Sequence, residues 1–147
     1  AEEGARVLLS DVHARRLEAC ADALEEALGR RVERMVCDVR DDEQVRALVA
    51  AAEERFDGLD VLVANAGLGG TFDLVDASDE QWDRILDTNL TGTFRCLRAA
   101  LPGMIARRRG SIVNLGSIVA WRAELPCTAQ FDLGTREVAG LQLSLSM

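Results

Sequence analysis

Short apolar runs alternate with longer helical stripes along this chain. Val7 to Ser10 is an apolar run ended by Asp11 and reads as a strand, after which Leu17, Cys20, Leu24 and Leu28 recur on one helical stripe between Ala14 and Leu28. Gly29 stops that helix, and Val32 to Cys37 resumes an extended, β-branched pattern that closes at Asp38. Asp41, with Gln44 three places on, caps a second helix carrying Val45, Leu48, Val49, Ala52 and Phe56. Leu59 to Ala64 is the third strand and runs into the turn residues Asn65, Ala66 and Gly67, then Gly69 and Gly70. Ser78 and Gln81 form another capping pair before a long helix marked by Trp82, Ile85, Leu86, Leu90, Thr93, Leu97 and Leu101, which Pro102 is expected to bend or interrupt. Ser111 to Leu115 is the fourth strand. A loop to about Gln130 and a last helical pattern through Val138, Leu141 and Leu145 complete the chain.

Such alternation predicts an α/β fold in three layers: parallel strands joined by crossover helices, with both faces of the sheet covered. No linker, repeat or low-complexity tract divides the 147 residues, so one domain is expected over 1–147. Composition narrows the function classes. With 25 acidic against 17 basic residues and a net charge of −8, the chain repels a phosphate backbone, which argues against nucleic acid as a partner. All the basic residues are arginine, and there is neither lysine nor tyrosine. Cys20, Cys37, Cys96 and Cys127 sit far apart without the spacing of a zinc site, and read as buried reduced thiols. No apolar run reaches membrane-spanning length, and Ala1 to Arg6 lacks the pattern of a signal peptide, so a cytoplasmic protein with no membrane partner is expected.

Candidate chemistry gathers where each strand ends. Asp11 closes the first strand, Asp38-Val39 the second and Asn65-Ala66-Gly67 the third, while Ser117 lies just past the fourth. The carboxyl ends of strands are where open α/β sheets bind ligands. Asn89 falls within the apolar stripe of the long helix, where a buried amide needs partners. Each residue also has a plainer reading: Asp11 as a helix cap, Asp38 and Ser117 as turn residues, Asn89 as an interior hydrogen bond. His13 reads as a solvated loop histidine, and Arg107-Arg108-Arg109 as cations at a helix end. Trp82 and Trp121 read as packing residues.

Taken in order, with Asp87-Thr88-Asn89-Leu90-Thr91-Gly92, these patterns resemble the short-chain dehydrogenase/reductase family over essentially the whole chain. The resemblance implies a Rossmann-like fold and NAD(P)-dependent oxidation of alcohols or reduction of ketones, with small molecules as substrates. It implies that Asp11 receives the adenosine ribose hydroxyls, favouring NAD over NADP. Asp38 and Val39 would border the adenine, and Asn65, Ala66 and Gly67 would let the backbone approach the cofactor sugar, although Ala64 stands where the family has its first asparagine. Asn89 would bend its helix and hold a water of the proton relay, and Ser117 would hydrogen-bond the substrate carbonyl. Family members form dimers through the long helix and the final helix, so a homo-oligomer is implied.

Two departures qualify what the resemblance implies. Phe131 and Thr135 occupy the positions of the tyrosine and lysine that handle the proton, which points to an impaired enzyme, a non-enzymatic module or a truncated gene product. Asp132 and Arg136 beside them are poor replacements, the first for its direction on a helix and the second because arginine holds its proton. Against the family pattern the chain also lacks the first strand with its Gly-rich turn, and the last two strands. In the order 3-2-1-4-5-6 the first strand is central, so its absence predicts two separated pairs unless the first visible strand pairs directly with the Leu59 strand, or a partner chain or missing segment fills the slot.

Overall fold

A computed structural model of the chain describes residues 4–69, 74–116, 132–138 and 141–146, with the backbone alone for Leu74 and from residue 132 on. The elements are β1 (Leu8–Asp11), α1 (Ala14–Leu28), β2 (Glu33–Val36), α2 (Asp42–Phe56) and β3 (Val61–Ala64), then a 3₁₀ turn (Leu74–Asp76) and α3 (Asp79–Leu86). A π-helical turn (Asp87–Thr91) joins α3 to α4 (Gly92–Arg107), which is followed by β4 (Ser111–Asn114), β5 (Asp132–Val138) and β6 (Leu141–Ser146). The strands form three separate pairs: β1 with β2 and β3 with β4, both parallel, and β5 with β6, antiparallel. The two separated parallel pairs match the expectation for a sheet without its central strand, and β1 does not pair with β3.

Local chemistry sets the helix boundaries. Asp41 caps α2 by accepting from the backbone N–H groups of Glu43 and Gln44. Gln44 then departs from the reciprocal box, because its Oε1 accepts from the Asp38 N–H at 3.0 Å and so ties the cap to the end of β2. Ser78 and Gln81 do close the reciprocal box at the start of α3. Gly29 ends α1 in the left-handed conformation at φ 64°.

The core lies under β3 and β4. Val49 of α2 meets Ala100 and Met104 of α4, with Leu59, Leu62, Ala99 and Ile112 packed against them. Arg107 donates to the Leu59 carbonyl at 2.6 Å, and both Arg107 and Arg109 pair with Asp60, so the arginine run clamps the entry to β3 as well as closing α4. Around α1 the buried residues are Leu17 and Ala21.

Several expectations need correction. Pro102 lies inside an uninterrupted α4; the fully buried neighbours Ala100 and Met104 hold the flanking turns in place despite one lost backbone bond. Cys20 is exposed and Cys96 half-buried, leaving Cys37 as the buried thiol among the described residues, because the α1 stripe turns on Leu17 and Ala21 rather than Cys20. The final segment is a β-hairpin, not a helix. Leu141, Leu143 and Leu145 alternate with Gln142, Ser144 and Ser146, so the same leucines satisfy a period of two, and Gly134, Thr135 and Val138 disfavour helix. Asp132 therefore begins a strand, where the helical angle from residue 131 does not apply. The three-layer α/β class itself stands, and on the β3–β4 pair one set of alternate positions is partly exposed. Val61, Val63, Val113 and Leu115 on the alternate positions are about half exposed.

Candidate functional site

Asp11 stands opposite Val36 in the β1–β2 register, which brings the ends of both strands to one edge. Arg16 in the first turn of α1 reaches back over the connecting loop. Its Nε donates to Asp11 Oδ2 at 2.7 Å and its Nη2 to Oδ1 at 2.7 Å, while the His13 backbone N–H donates to Oδ1 at 2.7 Å. The Arg16 guanidinium is the main reason the Asp11 carboxyl sits below its ordinary value; partial burial opposes this and the His13 amide assists. His13 itself is exposed and contributes no side-chain cap to α1.

Asp38 shows the same arrangement on the next strand. Arg40 donates from Nε to both carboxylate oxygens, at 3.0 and 3.1 Å, from Nη2 to Oδ2 at 2.6 Å and from its backbone N–H to Oδ1 at 2.9 Å. That guanidinium is again the first cause of a lowered carboxyl pKa. Val39 is pinned to α4: a Cβ on Gly92 would lie 2.7 Å from Val39 Cγ2, and the Val39 carbonyl accepts from Arg95 at 3.5 Å. Arg95 in turn pairs with Asp87 at 2.8 Å.

Asn65, Ala66 and Gly67 follow β3 as an exposed turn. Its far end is held by Asn89, whose Oδ1 accepts from the Leu68 N–H at 2.7 Å and whose Nδ2 donates to the Leu68 carbonyl at 3.0 Å. Asn89 lies in the π-helical turn, so the helix does change its winding there, and its own carbonyl accepts from Thr93 Oγ1 at 2.8 Å. The stretch Asp87–Gly92 is thus the link between the strand ends, since one part grips the loop after β3 and the other bears on the loop after β2. Ser117, Phe131, Trp121 and Cys127 lie outside the described residues. Thr135 is in β5, opposite Ser144.

Two acceptor carboxylates stand at adjacent strand ends, Asp11 with one lone-pair direction on Oδ2 unengaged and Asp38 with both oxygens taken by Arg40, and a Cβ on Gly69 would meet nothing within 4 Å. Asn114 at the end of β4 adds a buried amide whose Nδ2 and Oδ1 have no partner, the kind of unmet need that a ligand or water satisfies. The pairing of each acid with an arginine was not read from the sequence, nor was the Asn114 orphan. Arg40, two residues from Asp38, and the alternation of Ser111-Ile112-Val113-Asn114 were the available signals. A concavity of about 410 Å³ lies elsewhere, near the entries to β1 and β2 and lined by Arg6, Arg30, Phe56 and neighbours. Arg6 and Arg30 donate there to backbone carbonyls, and the ligand edge of a parallel sheet is the opposite one.

Among the described residues no helix is long and apolar enough to cross a membrane, and no group of three or more His, Cys, Asp or Glu is placed to hold a metal. Parallel strands with crossover helices and polar residues at the carboxyl edge define a Rossmann-like α/β protein. The sequence matches the short chain dehydrogenase family over residues 1–130, and the chain belongs to that family of oxidoreductases, which use nicotinamide cofactors. It is 49% identical over 124 residues to a (5R,7aS)-5-hydroxy-7a-methyl-1-oxo-2,3,5,6,7,7a-hexahydro-1H-indene-carboxyl-CoA reductase of Mycobacterium tuberculosis, covering 83% of this chain and 47% of that protein. A short chain dehydrogenase from Mycobacterium smegmatis superposes with a TM-score of 0.75 at 48% identity, covering 83% of this chain and 50% of that one. A variant of actinorhodin polyketide ketoreductase solved with NADPH gives a TM-score of 0.79 at 37% identity, over 85% of this chain and 48% of that one. The chain thus spans about half the length of the relatives it matches.

Proposed function

We propose that residues 1–147 form one dinucleotide-binding domain of an alcohol/ketone oxidoreductase, with an adenosine site that binds NAD and with impaired proton chemistry. The observation that carries the adenosine site is the placement of Asp11 and Asp38 as acceptors at adjacent strand ends, beside the small-residue turn Asn65-Ala66-Gly67. The nicotinamide, when bound, supplies or takes up hydride. Asp11 accepts from the ribose, Asp38 and the Val39 backbone border the adenine, and Ala66 and Gly67 admit the cofactor sugar. Asn89 positions that turn through Leu68, and Ser117 donates to a substrate carbonyl.

Phe131 and Thr135 support the impaired reading. A phenyl ring has no proton to give, and threonine offers no cation to lower the pKa of a neighbouring acid. Loss of a general acid/base costs roughly 10²- to 10⁴-fold in rate. The same two residues favour a second reading, a non-enzymatic module acting by association. Phe94 and Ile105, exposed eleven residues apart on one face of α4, support self-association through the long helix. Small molecules are the substrates in the first reading, with a cytoplasmic location.

Calorimetric titration with NAD is expected to saturate in the low millimolar range or below, and Asp11→Ala to weaken it. A flat wild-type titration would remove the cofactor reading. Mixing the protein with NAD and a panel of alcohols should give little or no growth at the reduced-nicotinamide absorbance band; turnover at rates ordinary for an enzyme, about 1–10³ s⁻¹, would refute impairment.

A further inference from the structure

We propose that the concavity at the entries to β1 and β2 binds a small phosphate ester with an apolar body. It is independent of the adenosine site, which lies at the opposite edge of the strands. Its volume is about 410 Å³, within the roughly 300–1,000 Å³ usual for small-molecule sites. Four of the chain's 17 arginines line it, Arg6, Arg30, Arg31 and Arg55, against one of its 25 acids, Glu33. In a chain of net charge −8 that is a local reversal of sign, and it falls in a recess.

The acids of this region do not cancel the charge. Glu33 is taken by Arg55, whose Nη1 lies 2.8 Å from Oε2. Glu18, Asp22 and Glu25 gather on Arg34, whose side chain leaves β2 on the face opposite to that of Glu33. Asp57, which follows Phe56, is exposed. Counting it with Glu33 against the four arginines still leaves a surplus of positive charge. Arg6 donates to the carbonyls of Arg55 and Phe56 at the end of α2. Those carbonyls are the negative end of the helix, so Arg6 covers a feature that would repel an anion. Its guanidinium also lies 5.2 Å from the centre of the Phe56 ring, which holds the cation at the wall of the recess. A guanidinium has further N–H groups beyond the two used here. Arg31 is exposed, and among the described residues it is in no ion pair. Planar guanidinium forks match phosphate oxygens. Leu28, Val32 and Phe56 supply an apolar wall. An inorganic anion would leave that wall bare, whereas an ester with a short hydrocarbon body covers it.

The test is calorimetric titration of the full chain with hexyl phosphate, inorganic phosphate and hexanol, with and without NAD. Hexyl phosphate should saturate with a dissociation constant of about 0.01–1 mM and bind at least roughly tenfold tighter than inorganic phosphate, while hexanol gives no saturable heat. Arg31→Gln should weaken hexyl phosphate about tenfold, and Arg31→Glu about a hundredfold, with the wild-type thermal midpoint kept in both. Arg15→Ala, at an exposed arginine of α1 outside the recess, should bind as wild type does. No saturable heat from hexyl phosphate, an equal loss in Arg15→Ala, or displacement by NAD overturns the site. Inorganic phosphate as tight as hexyl phosphate overturns the apolar body of the ligand. In a sedimentation arm with vesicles of phosphatidylcholine and phosphatidic acid, the protein should stay in the supernatant. Pelleting that Arg31→Glu abolishes would assign the recess to a lipid headgroup and overturn the small-molecule ligand. The adenosine site stands or falls separately, on the NAD titration alone.

Discussion

Gly92 lies where α4 crosses the end of β2, and a methyl group there would sit 2.7 Å from Val39 Cγ2 and 3.0 Å from Val39 Cβ. Neither atom is the end of a flexible side chain, so the backbone itself must give way. Gly92→Ala is expected to destabilise the fold by about 1–3 kcal/mol in urea denaturation, despite the better helix propensity of alanine. A gain in stability would mean that the two elements are not in contact. At this scale the sequence was informative about identity but not about partnership. Asp11, Asp38 and Asn89 were legible as polar residues in places that demand a reason. That Arg16 and Arg40 already occupy the two acids, and that Asn89 spends its amide on Leu68, depended on which atoms the folded chain brings within 3 Å.

At the level of elements, the caps and loops depend on ionised carboxylates. Asp11, Asp38, Asp42 and Asp60 are lowered chiefly by the arginines they bond, and Asp41 by the Gln44 backbone N–H at the start of α2. A carboxyl whose folded pKa is depressed favours the fold fully above its unfolded value, near 3.8 here, and loses that contribution as pH falls through the folded value. Cys37 acts at the other end of the scale. Burial raises its thiol from 9.0 to about 11, so its contribution is intact below pH 9 and lost as pH rises through the folded value. Urea midpoints measured across pH should therefore be level at neutrality, fall below about pH 4 and fall again above about pH 9. A flat acid limb would show that the arginine pairs do not persist in solution. The first four strands and their helices were legible because period and capping agree. The last segment differs from the helical expectation because Val138, Leu141 and Leu145 are spaced by three and four, while Leu141, Leu143 and Leu145 also alternate with polar residues, and hydrophobic spacing alone does not decide between the two periods.

The described strands form two parallel pairs and an antiparallel hairpin, with β6 of the hairpin lying against β4. The β3–β4 pair carries a half-exposed apolar face, and Phe94 and Ile105 stand out on α4. If α4 mediates self-association, light scattering should give a mass above one chain for wild type and one chain for a Phe94→Glu, Ile105→Glu variant. An oligomer that survives both charges would shift attention to the face bearing Val61, Val63, Val113 and Leu115. By itself the sequence determined the α/β class, the family, the first four strands and the residues at the strand ends, because periodicity, caps and turn chemistry are local. Tertiary structure alone decided which acids are already paired with arginine, which thiol is buried, how Asp87–Gly92 joins two loops and which apolar strand positions stay half exposed. Those are facts of proximity between residues far apart in the chain, and no pattern along one strand or helix encodes them.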